Sequence, residues 1–410
     1  MIALAVDELR PLGELWSRSD EVAGVEIDSR RVGPGDLFVA VGGGVAYVDD
    51  ARAAGATATL VPTDAFAAMG EIARRVRARS AARVVGITGS TGKTSTKDIL
   101  AALLAPHANV VAAEGGHNNE IGLPLTLCRI ERETELVVAE MGMRGRGQIA
   151  ELAQLARPRI AIVTSIGPVH LELLGTVENV ARAKAEILHA LPEHGVGIVP
   201  GDAPELDPFI PDGIDIRRFD PPDMEVRDGW AYVRFRGREI PFSFTARHQA
   251  TNAVAALLAV EALGLPLPDG PVEVTLSRWR GEESELPGGG LLINDCYNAN
   301  PVSMRAALEH LLARAEGRRT VAVLGEMAEL GTEAPRYHEA VAFAAADVDV
   351  VVGVGELARR YDADEWVGTA AEAVSRVRAI LEPGDVVLVK GSRAVGLEVV
   401  ADAVAGALAS

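Results

Sequence analysis

The chain has 410 residues, and because single domains usually hold roughly 100 to 200 residues, we expect about three domains. Hydrophobic residues make up 48% and charged residues 24%, which excludes a disordered or fibrous protein. The 58 acidic and 40 basic residues give a formal net charge of -18, so most of the surface would repel nucleic acid and we expect no nucleic-acid partner.

The N-terminal segment differs from a signal peptide, because it has no basic beginning and because Asp7 and Glu8 interrupt its apolar residues. No stretch reaches the roughly 18 uninterrupted apolar residues of a membrane span. Cys128 and Cys296 are too few for a disulfide framework and are typical of reduced thiols. We therefore expect a cytoplasmic protein without membrane insertion, and we expect a monomer.

The first predicted domain covers residues 1–82. Its short apolar runs, Val25–Ile27 and Leu37–Val41, alternate with turn sequences, which predicts a small α/β unit. The Arg-rich stretch Ala65–Ala82 predicts a helix that ends at the boundary with the next domain.

A second α/β domain is predicted over residues 83–279. Its apolar, β-branched segments are separated by segments of helical length, which indicates a mainly parallel sheet. The predicted strands are Val84–Ile87, Leu136–Glu140, Ile160–Ser165 and Val196–Val199. Residues 201–245 are richer in Pro, Asp and aromatic residues and predict antiparallel hairpins, and His248–Leu263 predicts an Ala-rich helix.

A third domain, of doubly wound type, is predicted over residues 280–410. Apolar strand segments alternate again with helical patterns in this part of the chain. These predicted strands are Leu291–Asn294, Thr320–Leu324, Val348–Val354 and Val386–Val389. The fold class predicted for the whole chain is therefore α/β with three domains.

The strongest single motif is the Gly-rich segment Gly86–Thr94, which lies between a predicted strand and a predicted helix. Backbone N–H groups of such a loop can bind phosphates at a helix N-terminus. Lys93 would reach the β- and γ-phosphates, and the Thr94 hydroxyl would bind Mg²⁺. Ile87 stands where the common phosphate-loop pattern has glycine, so the segment is a variant, and a simple turn is the alternative interpretation.

Two further residues follow predicted strands at the edge of the sheet where functional groups usually lie. Glu140 ends the strand Leu136–Glu140, and His170 follows the strand Ile160–Ser165 after a short loop. A carboxylate at this edge suits Mg²⁺. Taken singly, either residue could instead be a solvated loop residue or a helix cap.

Lys184 lies within the apolar stripe of the predicted helix Thr176–Leu191. Burial would favour the neutral, nucleophilic amine, and a neutral amine can add CO₂ to give a carbamate whose oxygens bind Mg²⁺. The alternative is a lysine whose amine extends to water along the helix surface. Periodicity alone leaves both interpretations open.

A motif at the start of the third predicted domain indicates a family. Asp295–Pro301 reads Asp-Cys-Tyr-Asn-Ala-Asn-Pro, and Val323–Gly331 and Val389–Arg393 accompany it. With the phosphate loop and Lys184, these segments resemble the Mur ligase family over nearly the whole chain. The resemblance implies an N-terminal nucleotide-sugar domain, a central P-loop ATPase domain and a C-terminal Rossmann-like domain.

The resemblance also implies roles for individual residues. The residues implied in ATP binding are Gly89, Ser90, Thr91, Gly92, Lys93, Thr94, Ser95, Asn252, Arg280 and Asp295. The implied Mg²⁺ ligands are Thr94, Glu140, His170 and carbamylated Lys184, and the implied catalytic residues are Lys93, Glu140, His170 and Lys184. The residues implied to contact the other substrates are Asp28, Ser29, Arg30, Asn118, Asn119, Ser165, Tyr297, Asn298 and Asn300.

The implied reaction is ATP-dependent ligation through an acyl phosphate. The motif Asp295–Pro301 is similar to the signature of the Mur ligase that joins D-alanyl-D-alanine to UDP-N-acetylmuramoyl-tripeptide, so these two small molecules are the expected substrates. One alternative is a Mur ligase that uses a different amine. Another is a binding module that uses the phosphate loop only as a nucleotide switch.

Several positions depart from the family pattern. Gly116 and His117 replace an Asn and an apolar residue, and Gln249 replaces an Asn. The run Val41–Val48 lacks the Asp-Gly-His pattern that is common in the first domain. These differences leave open how the nucleotide sugar is recognised, and nothing in the sequence selects diaminopimelate or lysine as the third residue of the accepted peptide.

Overall fold

A computed structural model describes residues 1–407. Within this range the main elements are a four-stranded sheet and two six-stranded sheets, which follow one another along the chain. No helix between residues 1 and 407 combines the length and the apolarity that crossing a bilayer requires. The α/β class predicted from the sequence is therefore confirmed.

The first sheet has the strand order β2-β6-β5-β4, with a small antiparallel pair, β1 and β3, beside it. The strands are β1 Leu4–Ala5, β2 Gly13–Ser17, β3 Glu21–Val22, β4 Gly24–Glu26, β5 Asp36–Val39 and β6 Ala58–Pro62. The helices are α1 Val48–Ala54 and α2 Ala65–Ala78. Asp64 caps α2 through the N–H of Ala67, and the apolar face of the helix packs against the central part of the chain.

The second sheet is wholly parallel and has the order β12-β11-β10-β7-β9-β8. The strands are β7 Arg83–Thr88, β8 Val110–Ala112, β9 Leu136–Glu140, β10 Ile160–Val163, β11 Val196–Pro200 and β12 Asp215–Phe219. The helices are α3 Lys93–Leu104, α4 Gly122–Leu127, α5 Gln148–Ala156, α6 Leu171–Leu174, α7 Val177–His189 and α8 Arg247–Ala262. Helices cover both faces, so the strands other than β12 read as largely apolar runs.

The prediction of antiparallel hairpins throughout 201–245 was wrong for β12, which pairs in parallel with β11. Phe219 is buried in the core, while Arg217 and Arg218 form ion pairs at the sheet edge, so this strand lacks the apolar run of its neighbours. The hairpin prediction is confirmed for the rest of the segment. These antiparallel strands are β13 Met224–Arg227, β14 Trp230–Phe235 and β15 Arg238–Phe242.

The third sheet has the order β16-β17-β21-β18-β19-β20, and all its strands are parallel except β16. The strands are β16 Glu282–Leu286, β17 Gly290–Asp295, β18 Thr320–Gly325, β19 Val350–Val354, β20 Glu365–Val367 and β21 Val386–Lys390. The helices are α9 Pro301–Ala315, α10 Ala334–Ala344, α11 Ala370–Ile380 and α12 Glu398–Ala407. The edge strand β20 was not predicted, because its three residues are too few to show a strand-like alternation of apolar and polar side chains.

Candidate active site

The loop between β7 and α3 has the backbone that a phosphate-binding loop requires. Gly92 caps α3 with φ 80°, and a Cβ there would lie 2.5 Å from Oδ1 of Asn252. Gly89 has φ 148°, and its Cβ would lie 1.9 Å from Oγ1 of Thr164. Side chains are therefore excluded at both positions. The N-terminus of α3, with its free N–H groups, begins at Lys93.

The loop is fastened to the segment that follows β10. Thr91 N donates to Ser165 Oγ at 2.8 Å, and Ser90 N donates to Ser165 O at 2.9 Å. Gly167 N donates to Ser90 Oγ at 3.0 Å. Ser165 thus positions the loop, while its contact with substrate stays a prediction.

Lys93 lies across the mouth of the loop. Its Nζ donates to Gly89 O at 2.8 Å, which places the ammonium over the turn that would surround the phosphates. Burial lowers the pKa of Lys93, whereas the nearby Glu140 carboxylate raises it. An anion in the loop would further favour the charged amine.

A buried polar cluster surrounds Glu140, at the carboxyl end of β9. Glu140 Oε1 accepts hydrogen bonds from Asn118 Nδ2 at 2.7 Å and from Thr94 Oγ1 at 3.2 Å. Its other oxygen, Oε2, is buried and has no donor among residues 1–407. A buried carboxylate oxygen without a partner is costly, which indicates that a bound group completes the cluster.

This cluster fits Mg²⁺. The ion prefers oxygen ligands, and it is usually held by one or two carboxylates together with substrate phosphates and water. Glu140 and Thr94 supply two such oxygens beside the phosphate loop. The residues of 1–407 contain no group of three or more His, Cys, Asp or Glu side chains that could hold a metal without a ligand's help.

Lys184 and His170 complete the same region. Lys184, on α7, is 2% exposed, and within residues 1–407 it has no hydrogen-bond partner or counter-ion, so the alternative of a water-exposed amine is wrong. Burial places the pKa of Lys184 well below its ordinary value, and the charge of Lys93 lowers it further. Burial also lowers the pKa of His170, Glu329 opposes that change, and Lys184 and Lys93 add to it. These mutual electrostatic effects indicate that the side chains of Lys93, His170 and Lys184 lie close to one another.

Arg280 and Tyr297 reach this site from the loops just before β16 and just after β17. Arg280 Nη2 donates to Thr94 Oγ1 at 3.3 Å, and its guanidinium stacks over the Tyr297 ring at 4.0 Å. A Cβ at Gly116 would lie 2.1 Å from the Tyr297 hydroxyl. Gly116, one of the departures from the family pattern, therefore leaves room for this tyrosine.

The other residues predicted in the motif Asp295–Pro301 make bonds within their own part of the fold. Asp295 Oδ2 accepts from the buried Lys390 Nζ at 2.5 Å. Asn298 Oδ1 accepts from the N–H of the next residue, and Asn300 Oδ1 caps α9 by accepting from Ser303 N at 3.0 Å. Their contacts with ATP and substrate stay predictions.

Asn252 and Ser95 lie behind the phosphate loop. Asn252 Nδ2 donates to Gln249 Oε1 at 3.0 Å, and Gln249 Nε2 donates to Ser95 Oγ at 3.3 Å. The chain of bonds joins α8 to α3. Gln249, the replacement noted in the sequence, is thus the link between the two helices.

The predicted nucleotide-sugar residues of the first domain form an exposed pair. Hydrogen bonds from Arg30 lower the pKa of Asp28 to about 2. Ser29, between them, is partly exposed. The next residue, Arg31, lies 3.5 Å from Glu114 in the loop that follows β8.

That loop continues to the predicted residues Asn118 and Asn119. Asn119 Oδ1 accepts from Gly122 N at 2.9 Å and so helps to begin α4. Asn118 lies against Glu140. The first domain therefore meets the central one along the segment that ends at the polar cluster around Glu140.

Three polar residues near the site were missed from the sequence: Lys97, Lys390 and Glu329. Lys97 is buried beside Asp98 at 2.7 Å and donates to Ser277 Oγ at 3.3 Å. A usable signal existed for the lysines, because only four of the 40 basic residues are lysine and the other two are Lys93 and Lys184. In the structure Lys97, Lys184 and Lys390 are buried and Lys93 is partly buried, so the few lysines of this chain mark enclosed positions.

Comparison with known proteins decides the family. The Mur ligase middle domain matches residues 87–214, and the Mur ligase glutamate ligase domain matches residues 280–393. The UDP-N-acetylmuramoyl-tripeptide–D-alanyl-D-alanine ligase of Mycobacterium tuberculosis is 35% identical, over 92% of this chain and 91% of the relative. The chain belongs to the Mur ligase family. The family resemblance and the three-part α/β architecture predicted from the sequence are confirmed.

Solved Mur ligases share the whole fold. A crystal structure of MurF from Acinetobacter baumannii has a TM-score of 0.84 at 26% identity, and it covers 98% of this chain and 99% of its own. MurF ligase from Thermotoga maritima, solved in complex with ADP, has a TM-score of 0.81 at 27% identity, with 95% and 98% covered. The similarity extends across all three sheets.

Proposed function

We propose that this Mur ligase uses ATP to join D-alanyl-D-alanine to UDP-N-acetylmuramoyl-tripeptide, through an acyl-phosphate intermediate. One observation carries the proposal. The Thr94 hydroxyl, at the phosphate loop, lies within hydrogen-bond distance of the buried Glu140 on one side and of Arg280 on the other. This arrangement supports a phosphoryl-transfer site that lies between two domains. The names of the relatives support the choice of substrates.

The protein groups would act mainly by positioning and by electrostatics. Lys93 and the N–H groups at the start of α3 hold the β- and γ-phosphates, and Arg280 approaches from the third domain. Glu140, Thr94 and His170 would hold Mg²⁺, which neutralises phosphate charge when bound. The carboxylate of the tripeptide attacks the γ-phosphorus, so an acyl-phosphate bond forms and the bond to ADP breaks.

The second step forms the amide. The D-alanyl-D-alanine amine attacks the acyl carbonyl, and the tetrahedral intermediate expels phosphate and releases a proton. Water would hydrolyse the acyl phosphate, so the contacts of Arg280 and Tyr297 with the central domain protect the intermediate by closing the site.

We propose further that Lys184 is carbamylated. Burial holds the pKa of its amine well below the ordinary value, which favours the neutral form that adds CO₂. The carbamate would add an oxygen ligand for Mg²⁺ and would place a negative charge near Lys93.

We propose domain boundaries at 1–82, 83–279 and 280–410, which the extent of the three sheets supports. We also propose that the enzyme acts as a monomer in the cytoplasm, where ATP is available for the reaction.

ADP formation in the presence of each candidate amine tests the function. We expect ADP release that requires both UDP-muramoyl-tripeptide and D-alanyl-D-alanine. A different amine that supports faster release would identify another Mur-type ligase. Slow ATP hydrolysis that neither substrate changes would instead identify a nucleotide-regulated binding module.

A further inference from the structure

A carboxylate from the third domain reaches the candidate metal site. Glu329 lies in the loop after β18, and its carboxylate accepts a hydrogen bond from Nδ1 of His170. The other carboxylate oxygen lies 3.7 Å from Nε of Arg144. His170 and Arg144 both belong to the central domain, so Glu329 joins the two domains at this point.

The backbones of the two loops are also joined. Glu172 N donates to Glu329 O at 3.3 Å. His170 has φ 53° and Glu329 has φ 61°, so both adopt the left-handed conformation although neither is glycine. This conformation is uncommon for residues other than glycine and tends to persist at functional sites.

The loop that carries Glu329 is held firmly by its own domain. Ala328 N donates to Ser392 Oγ at 2.9 Å, and Leu330 is buried. Between these two anchors the Glu329 side chain is 40% exposed and turned to the central domain. The loop therefore presents one carboxylate in a fixed place.

The hydrogen bond determines which His170 nitrogen is free. Because Glu329 accepts from Nδ1, the proton of a neutral ring is on Nδ1 and the lone pair is on Nε2. Metal-binding histidines usually donate their second ring N–H to such a carboxylate or carbonyl, which orients the ring. Nε2 has no hydrogen-bond partner within residues 1–407.

We infer that Glu329 is a positioning residue supplied by the third domain, which orients His170 so that Nε2 binds the metal ion only while the two domains are docked. The inference rests on the proposed function, because it takes His170 as a ligand of Mg²⁺. It makes the metal site depend on the position of a domain that contributes no ligand of its own.

Pulsed electron paramagnetic resonance tests the inference without relying on turnover. The full chain, labelled with ¹⁵N-histidine, is loaded with Mn²⁺ and ATP, and nuclear modulation from a bound histidine nitrogen is recorded. We expect ¹⁵N coupling in the native enzyme and its loss in Glu329→Ala. We also expect Glu329→Ala to raise the Mg²⁺ concentration for half-maximal rate by about 10- to 100-fold.

Three variants control the test. Glu329→Gln keeps an oxygen acceptor and should retain most of the coupling, whereas Glu329→Asp keeps the charge but is one methylene shorter and should lose it. Glu333→Ala removes an exposed carboxylate of the next turn, which pairs with Arg336, and should match the native enzyme. If Glu329→Ala does not fold, Glu329→Asp alone decides.

Two results would overturn the inference: no histidine coupling in the native enzyme, or unchanged coupling and unchanged Mg²⁺ dependence when the carboxylate is removed or shortened. Amide formation by the native enzyme is measured in parallel. Its absence would refute the proposed function itself, and its presence beside either of those two results would refute only the role of Glu329.

Discussion

The phosphate loop and the predicted nucleotide-sugar segment are built in opposite ways. Around the loop, Glu140 and Lys184 are almost fully buried. Hydrogen bonds from Thr94 and Asn118 hold the Glu140 carboxylate in place. In the first domain, Asp28 and Arg30 pair with each other in an exposed position. The first region is organised before any ligand binds, whereas the second can exchange its internal pair for contacts with a ligand. Substitutions around the phosphate loop should therefore reduce activity far more than substitutions in the nucleotide-sugar segment.

The largest effect is expected for Lys93→Ala. The variant removes the charge that faces the phosphates, and we expect kcat for ADP formation to fall on the order of 10²- to 10³-fold. Steady-state kinetics with both substrates measures the change, and a thermal unfolding curve checks that the protein is folded. An unchanged rate would mean that the segment is a simple turn and does not bind phosphate.

A large but recoverable loss is expected for Lys184→Ala. The proposed carbamate would supply an oxygen ligand that this variant lacks, so we expect roughly a 10²-fold loss of kcat, and formate or acetate should restore part of it. Arg182→Ala changes an exposed residue of the same helix and is the matched control. Turnover equal to that of the control would remove Lys184 from the mechanism.

A moderate effect on stability is expected for Asn300→Ala. Loss of the cap of α9 should lower the free energy of unfolding by about 1 kcal/mol, as measured by urea denaturation, and Asn300→Ser should restore it. If Asn300 also contacts substrate, Asn300→Ser will recover stability while KM stays raised. Recovery of both would show that the residue is only a cap.

The smallest effect is expected for Asp28→Asn. The pair with Arg30 is exposed to water, so stability should not change measurably, and KM for the nucleotide-sugar substrate should change within about fivefold. Because the pKa of Asp28 is lowered to about 2, its charge is constant near neutral pH and should add no pH dependence there. A loss of activity as large as that of Lys93→Ala would contradict the proposed difference between the two regions.

The sequence predicted the parts of the site that depend on local pattern. The end of an apolar strand pointed to Glu140, and an apolar helical stripe pointed to Lys184. The structure buries both side chains, which the sequence pattern alone had left open. Glu329 could not be found in this way, because its partner His170 is 159 residues away and the contact depends on how two domains dock.

Other residues had two compatible interpretations. Asn300 stands before Pro301 and three residues before Ser303, which is the pattern of a helix cap as much as that of a binding residue. The strand β12 was misassigned because its charged residues are stabilised by ion pairs with Asp207 and Asp215, which no local pattern reveals. Local sequence therefore predicted the elements better than the contacts between them.

The central claim is tested most directly by the mass of the product. The full chain is incubated with ATP, Mg²⁺, UDP-N-acetylmuramoyl-tripeptide and D-alanyl-D-alanine, with either diaminopimelate or lysine as the third residue. We predict a new nucleotide-linked species heavier than the tripeptide by one D-alanyl-D-alanine less one water, formed in equal amount with ADP. ATP consumption without that species, or no reaction with either tripeptide, would contradict the assignment.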